Sequence, residues 1–215
     1  MNPLISVHVA KAGGSSLLKI FEGRFGAGLL RDYAENPADP VSPRNLDPDR
    51  YFARQTRIPD GVACVHGHFH PGKYAIPANA ILSTMLRHPV DNIISIYFFW
   101  KTLARGHDAL HDYFLAETLS LPETASLPLL RHLFSKTYFG GFDMGRFNLV
   151  GRHDSRDDAL IKIGALTGGR FETGTHENAT RPTPERQEVE SNPRMRRALE
   201  DILADDIRFY ERFVR

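Results

Sequence analysis

The chain has 215 residues, a formal net charge of +1, 41% hydrophobic and 25% charged residues. That length suits one domain with a substantial core, residues 1–215, and a charge so close to zero excludes a broadly basic nucleic-acid-binding coat. The single cysteine, Cys64, excludes an internal disulfide and suits a reducing compartment, while no stretch is long and apolar enough to span a bilayer.

Leu4 to Val9 is a short β-branched run that reads as a buried strand. From Gly14 to about Phe25, Leu17, Leu18, Phe21 and Phe25 recur at helical spacing. Pro37, Pro40, Pro43, Pro48 and Pro59 then punctuate a stretch without a clear period, which reads as a long surface excursion. Val62 to Phe69 and Ala80 to Leu86 read as strands, and Pro89 suits the first turn of a helix whose apolar face is Val90, Ile93, Ile94, Tyr97 and Phe98. Segments 107–119 and 123–136 read as a helical insert. Phe147 to Val150 is a strand candidate and Asp154 to Leu166 a helix candidate. Residues 168–193 are polar and read as a loop, and Pro193 to Val214 as one last helix.

Strands alternating with helices predict an α/β fold: a mostly parallel central sheet flanked by helices in three layers, plus the helical insert. Ligands of such sheets sit beyond the carboxyl ends of the strands. Three segments fall there: the loop after the first strand, the histidines after the second, and Arg87 after the third.

The first of these is His8-Val9-Ala10-Lys11-Ala12-Gly13-Gly14-Ser15-Ser16. The glycines let backbone approach a ligand, and the first N–H groups of the following helix lack internal partners. Lys11 adds a charge, and Ser15 and Ser16 add hydroxyls. A phosphate-like anion is the natural guest; a plain glycine-rich turn with an exposed lysine is the other reading. The loop is not of the Gly-x-x-x-x-Gly-Lys-Ser/Thr type, because here the lysine precedes the glycine pair. Arg87, at the end of the third strand, and Ser95, two turns into the next helix, can together hold a terminal phosphate. The bland reading is an arginine paired with a carboxylate and a serine facing solvent.

Together these residues resemble the sulfotransferases that use 3′-phosphoadenosine-5′-phosphosulfate (PAPS), most closely the carbohydrate branch that includes the uronyl 2-O-sulfotransferases. That family opens on a strand and a His-x-Pro-Lys-Thr-Gly-Gly-Thr-Ser type loop. Here Ala10 replaces the proline and Ala12 the threonine, while Lys11, Gly13, Gly14, Ser15 and Ser16 remain. Arg87, Pro89 and Ser95 match the family's 3′-phosphate element. Phe147 to Gly151 resembles its late strand, with Asp154 where glutamate is usual, and Asp206 and Tyr210 resemble its last helix. The resemblance implies a P-loop-like fold and PAPS as sulfuryl donor, with Lys11 to Ser16 on the 5′-phosphosulfate. It implies no required metal and a hydroxyl acceptor, a glycan or another small molecule. It also implies a late loop in which Asn178, Thr180 and Arg181 close over the 3′-phosphate or adenine. The excursion and the insert, which the resemblance does not cover, are left to read the acceptor.

Val65-His66-Gly67-His68-Phe69-His70 can place three imidazoles on one face of a strand. A hydrogen-bonded structural cluster, a metal site and a catalytic base all fit that pattern. By the resemblance, His68 is the base and His66 a supporting group or substrate contact. His107 and His111 read as an exposed helix face, Cys64 as a small buried residue, and Phe98, Phe99 and Trp100 as core. A P-loop-like kinase or nucleotide hydrolase and a non-catalytic nucleotide-binding protein are the alternatives. With no signal-peptide layout at the N-terminus and no membrane anchor, a soluble cytoplasmic bacterial protein is expected.

Overall fold

Leu4, Ile5 and Val7 give the first strand apolar side chains on both faces, which suits a strand covered from both sides. The computed structural model describes residues 2–173 and 183–214 and places that strand at the centre of a five-stranded, all-parallel sheet. The strands are β1 (Leu4–His8), β2 (Leu29–Asp32), β3 (Cys64–Gly67), β4 (Ile81–Leu86) and β5 (Leu149–Arg152), in spatial order β2-β3-β1-β4-β5. Leu4 pairs with Cys64 on one side and with Ile81 on the other. Chain order therefore reverses around β1, and the carboxyl ends of β3, β1 and β4 form a crevice.

Alternate residues of the sheet divide into two apolar layers. Leu4, Cys64, Ile81, Met85 and Leu149 pack on Leu17, Ile20 and Phe21 of α1 (Gly14–Phe25) and on Ala159, Leu160 and Ile163 of α8 (Arg156–Thr167). Ile5, Val7, Val65, Leu82, Leu86 and Val150 face the opposite layer, built on α4 (Pro89–Trp100). The insert completes that layer with α5 (Ala109–Glu117), α6 (Leu121–Ser126), α7 (Pro128–Arg131) and a π-helical turn, Leu133–Tyr138. So do α10 (Pro193–Ile202) and α11 (Ala204–Phe213). The expected three-layer α/β architecture and helical insert are both present.

Four expectations need correction. The surface excursion contains the edge strand β2 and two short helices, α2 (Pro43–Leu46) and α3 (Pro48–Ala53). Ser42 and Asp47 cap these helices ahead of a proline at the first helical position. The expected loop 168–193 contains α9 (Pro184–Ser191), capped by Thr183. The expected last helix is two, broken at Leu203 where ψ is 16°. The fifth strand also begins at Leu149 rather than Phe147.

Candidate functional site

The loop leaving β1 is bent by two left-handed residues, Lys11 at φ 60° and Gly13 at φ 85°. A lysine in that region costs about 1–2 kcal/mol, so the surrounding fold holds it there. Gly14 has a different duty from the one its sequence suggests. A Cβ there would lie 1.9 Å from the His8 ring, so the missing side chain makes room for an imidazole rather than for a ligand. Over Gly13 sits the His153 ring, 3.0 Å from where a Cβ would be. Ala12 is buried in the core, so only its backbone can face a ligand. Ser15 is exposed and Ser16 buried.

The N-terminus of α1 has no side-chain cap and no acidic residue in its first turn. α5, α9 and α10, by contrast, are capped by Asp108, Thr183 and Asn192. Neither a capping side chain at Gly13 nor a carboxylate of the first turn offsets the positive end of α1. α4 and α8, which also start at the sheet's carboxyl edge, lack side-chain caps too, but carry Asp91 and Asp157 in their first turns.

Three cations, Lys11, Arg87 and Arg186, lie within electrostatic reach of one another. Burial first, and then the charges of Arg87 and Arg186, hold Lys11 below its ordinary value. Burial and Arg186 lower Arg87 in the same way, with Asp91 and Glu190 opposing. Lys11 Nζ rests 3.9 Å above the Phe99 ring, a cation–π contact. Phe99 is thus a platform for the lysine at the edge of the core, whereas Phe98 and Trp100 are buried as expected. Arg186 was not singled out from the sequence. It belongs to α9, inside the segment read as a loop, and its Nε is 2.7 Å from Glu190 Oε1. His153 joins the group, lowered by burial and by Arg87. Ser95 is buried on α4, and among the described residues no hydrogen bond joins it to Arg87. Asn178, Thr180 and Arg181 lie outside the described residues.

On the other side of β1, imidazoles stack. The His8 ring lies 5.3 Å from His66 at 7° and 4.3 Å from His68 at 26°. His66 is fully buried; its Nε2 donates to the Gly14 carbonyl at 3.3 Å and its Nδ1 accepts from Ser6 Oγ at 2.9 Å. Burial pushes it down to about 4. His68, just past the end of β3, is lowered by burial and partly restored by the His8 carbonyl. His68 Nδ1 is 2.6 Å from that oxygen, which can only accept. Nδ1 therefore carries the proton, and Nε2 keeps a free lone pair. The Tyr33 ring meets His68 edge-on at 5.0 Å, and its hydroxyl bonds His8 Nδ1 at 3.1 Å.

His70 does not share this face, because β3 ends at Gly67 and the alternation with it. Its Nδ1 accepts from Gly72 N and its Nε2 donates to the Gly140 carbonyl, each at 3.0 Å. It walls a separate cleft of about 550 Å³ with Phe52, Gln55, Phe142 and Arg146. Among the described residues, no three His, Cys, Asp or Glu side chains are grouped to hold a metal. His111, expected on an exposed face, is fully buried and bonds the Trp100 carbonyl at 3.1 Å. Cys64 is buried, as expected. Asp154 pairs with Arg152 at 2.6 Å, and the Tyr210 ring lies against His88. Among the described residues, no helix is long and apolar enough to cross a membrane.

No protein-family model matches the chain, and no curated protein matches it. Among solved structures, a sulfotransferase from Alicyclobacillus acidocaldarius superposes with a TM-score of 0.41 at 16% identity, covering 97% of this chain and 96% of that one. Mouse sulfotransferase SULT7A1, complexed with PAP, gives 0.40 at 13% identity, covering 93% and 88%. Likeness at this level carries no weight in assigning a reaction.

Proposed function

We propose that the protein transfers a sulfuryl group from PAPS to a hydroxyl acceptor. The observation that carries this reading is the pairing of two half-sites across β1. Lys11, Arg87 and Arg186 lie within reach of one another on one side, with the start of α1 that has no side-chain cap, and the His68 imidazole with an unprotonated Nε2 stands on the other. The first half suits a ligand with more than one anionic group; the second suits removal of a proton. The order of the loop, with Lys11 ahead of Gly13 and Gly14, favours this donor over a magnesium-nucleotide.

In this reaction the acceptor oxygen attacks sulfur, its proton passes to His68 Nε2, and the bond from sulfur to the 5′-phosphate oxygen breaks. The electron pair stays on that oxygen. Such transfers depend on in-line placement and charge stabilisation more than on covalent help. Lys11 and the α1 N–H groups take the charge developing on the leaving oxygen. Arg87 and Arg186 hold the 3′-phosphate, and His66 buttresses the His8–His68 stack through its bond to Gly14. The acceptor is a small hydroxylated molecule, a glycan unit among the candidates.

The deciding experiment is calorimetric titration with 3′-phosphoadenosine-5′-phosphate (PAP) against ATP with Mg²⁺, followed by transfer from labelled PAPS to a panel of hydroxyl acceptors. PAP should bind more tightly; preference for ATP overturns the reading. His68→Ala should lower turnover by about 10²–10⁴-fold and leave PAP affinity unchanged. Unchanged turnover in that variant removes the base assignment.

A further inference from the structure

Tyr138 is the last residue of the π-helical turn Leu133–Tyr138 and has no solvent exposure. A buried phenol is kept where its hydroxyl has work to do, because an unpaired one costs about 1–3 kcal/mol. One side chain meets this hydroxyl directly: its oxygen is 3.1 Å from His68 Nδ1. The Ala10 backbone lies beside the oxygen and favours its ionised form, against the burial that raises Tyr138. The Ala10 carbonyl is held in turn by Asn92 Nδ2 at 2.9 Å. Ala10 immediately precedes Lys11 and its left-handed backbone. The far end of the π-helical turn is anchored by Asp206, which accepts from Phe134 N at 2.8 Å and Ser135 N at 2.9 Å.

We propose that Tyr138 is a positioning residue: one hydroxyl ties the imidazole of His68 to the loop that carries Lys11. It holds the imidazole, whose Nδ1 proton the His8 carbonyl fixes, in register with the anion-binding half-site. This rests on the sulfuryl-transfer reading above. Nδ1–H points at the His8 carbonyl and, as a second acceptor, at the Tyr138 oxygen. When Nε2 takes a proton, the imidazolium shares Nδ1–H between these two oxygens. The titratable groups facing His68 are His8, His66, Tyr33 and Tyr138. Among the described residues none of these is a carboxylate, and the His8 carbonyl dipole is the counterweight to burial.

Tyr138→Phe keeps the ring and removes the hydroxyl. Maximal turnover should fall on the order of tenfold, the loss of one hydrogen bond to a charged group. The acid limb of the pH–rate profile should move down by up to about one pH unit, because the imidazolium loses an acceptor. PAP affinity should change less than about threefold, since Asn92 still holds Ala10. In a His68→Ala background the same substitution should change turnover little. An unmoved acid limb, or an equal loss with and without His68, overturns the proposal. Nitrogen-15 NMR of the histidines in the wild-type protein gives a readout independent of turnover and of the variant's folding. His68 should be the Nδ1–H tautomer, and the Nε2–H tautomer overturns the proposal. Absence of any PAPS activity, with that tautomer and a Tyr138-dependent titration intact, would defeat the reaction and leave the coupling standing.

Discussion

Acidification should unfold this protein through its buried imidazoles. His66 and His70 are both essentially inaccessible, and burial pushes each from 6.5 down to about 4. Between those values the unfolded chain binds protons that the folded protein refuses, so stability falls as pH falls through that window. Going from about pH 7 to about pH 5 costs roughly 2 kcal/mol per ring, or roughly 4 kcal/mol for the pair. That is a large share of the 5–15 kcal/mol typical of a domain. His8 and His68 are lowered too and add in the same direction. Asp206 acts oppositely: burial raises its carboxyl, so between 3.8 and its folded value its contribution grows as pH falls. Below about 4 the two rings protonate in both states and their slope ends. Urea unfolding at a series of pH values measures the slope. His66→Gln should reduce it by about 1.4 kcal/mol per pH unit near pH 5. Equal stability at pH 7 and pH 5, or the same slope in the variant, refutes the reasoning.

Three further outcomes are expected. Gly14→Ala should destabilise the fold by at least about 1–3 kcal/mol in urea unfolding, because its Cβ would meet the His8 ring at 1.9 Å; wild-type stability would show that the ring moves aside freely. Arg87→Ala and Arg186→Ala should each weaken PAP binding by about tenfold or more in calorimetric titration, as the loss of a charge-assisted hydrogen bond implies, and an unchanged affinity removes that arginine from the phosphate site. Asp32→Ala should cost about 3–5 kcal/mol, since it strips Lys73, at 2.7 Å, and the buried Tyr74 hydroxyl, also at 2.7 Å, of their shared acceptor; a loss below about 1 kcal/mol would show that water replaces the carboxylate.

The residues that make the sheet were legible because their signals are local. Leu4 to His8 and Ile81 to Leu86 are short, mainly apolar runs that are buried along their whole length, and Pro89 marks its helix start by its fixed φ. The Ser42–Pro43 and Asp47–Pro48 pairs carried a readable start signal of the same kind, masked by the prolines around them. β2 was not legible. Four residues, three of them partly exposed, form a strand only because Leu29 to Asp32 align with Cys64 to Gly67.

The candidate site divides in the same way. Lys11, Gly13 and Gly14 stand out in sequence by type and order, since only a glycine-rich turn brings bare backbone to a strand end. Arg87 and His68 stand out by following strands, at the edge where parallel sheets open. Tertiary packing decided how these residues are used. Gly14 serves the His8 ring; His70 turns away because β3 stops at Gly67; Arg186 and Tyr138 arrive from distant helices. Contacts between residues 70 or more positions apart leave no period or spacing in the chain. Sequence by itself determined the α/β layering and the presence of a basic glycine loop. Only the folded molecule decided which proton His68 carries, because that follows from a carbonyl brought within 2.6 Å by the pairing of β1 with β3.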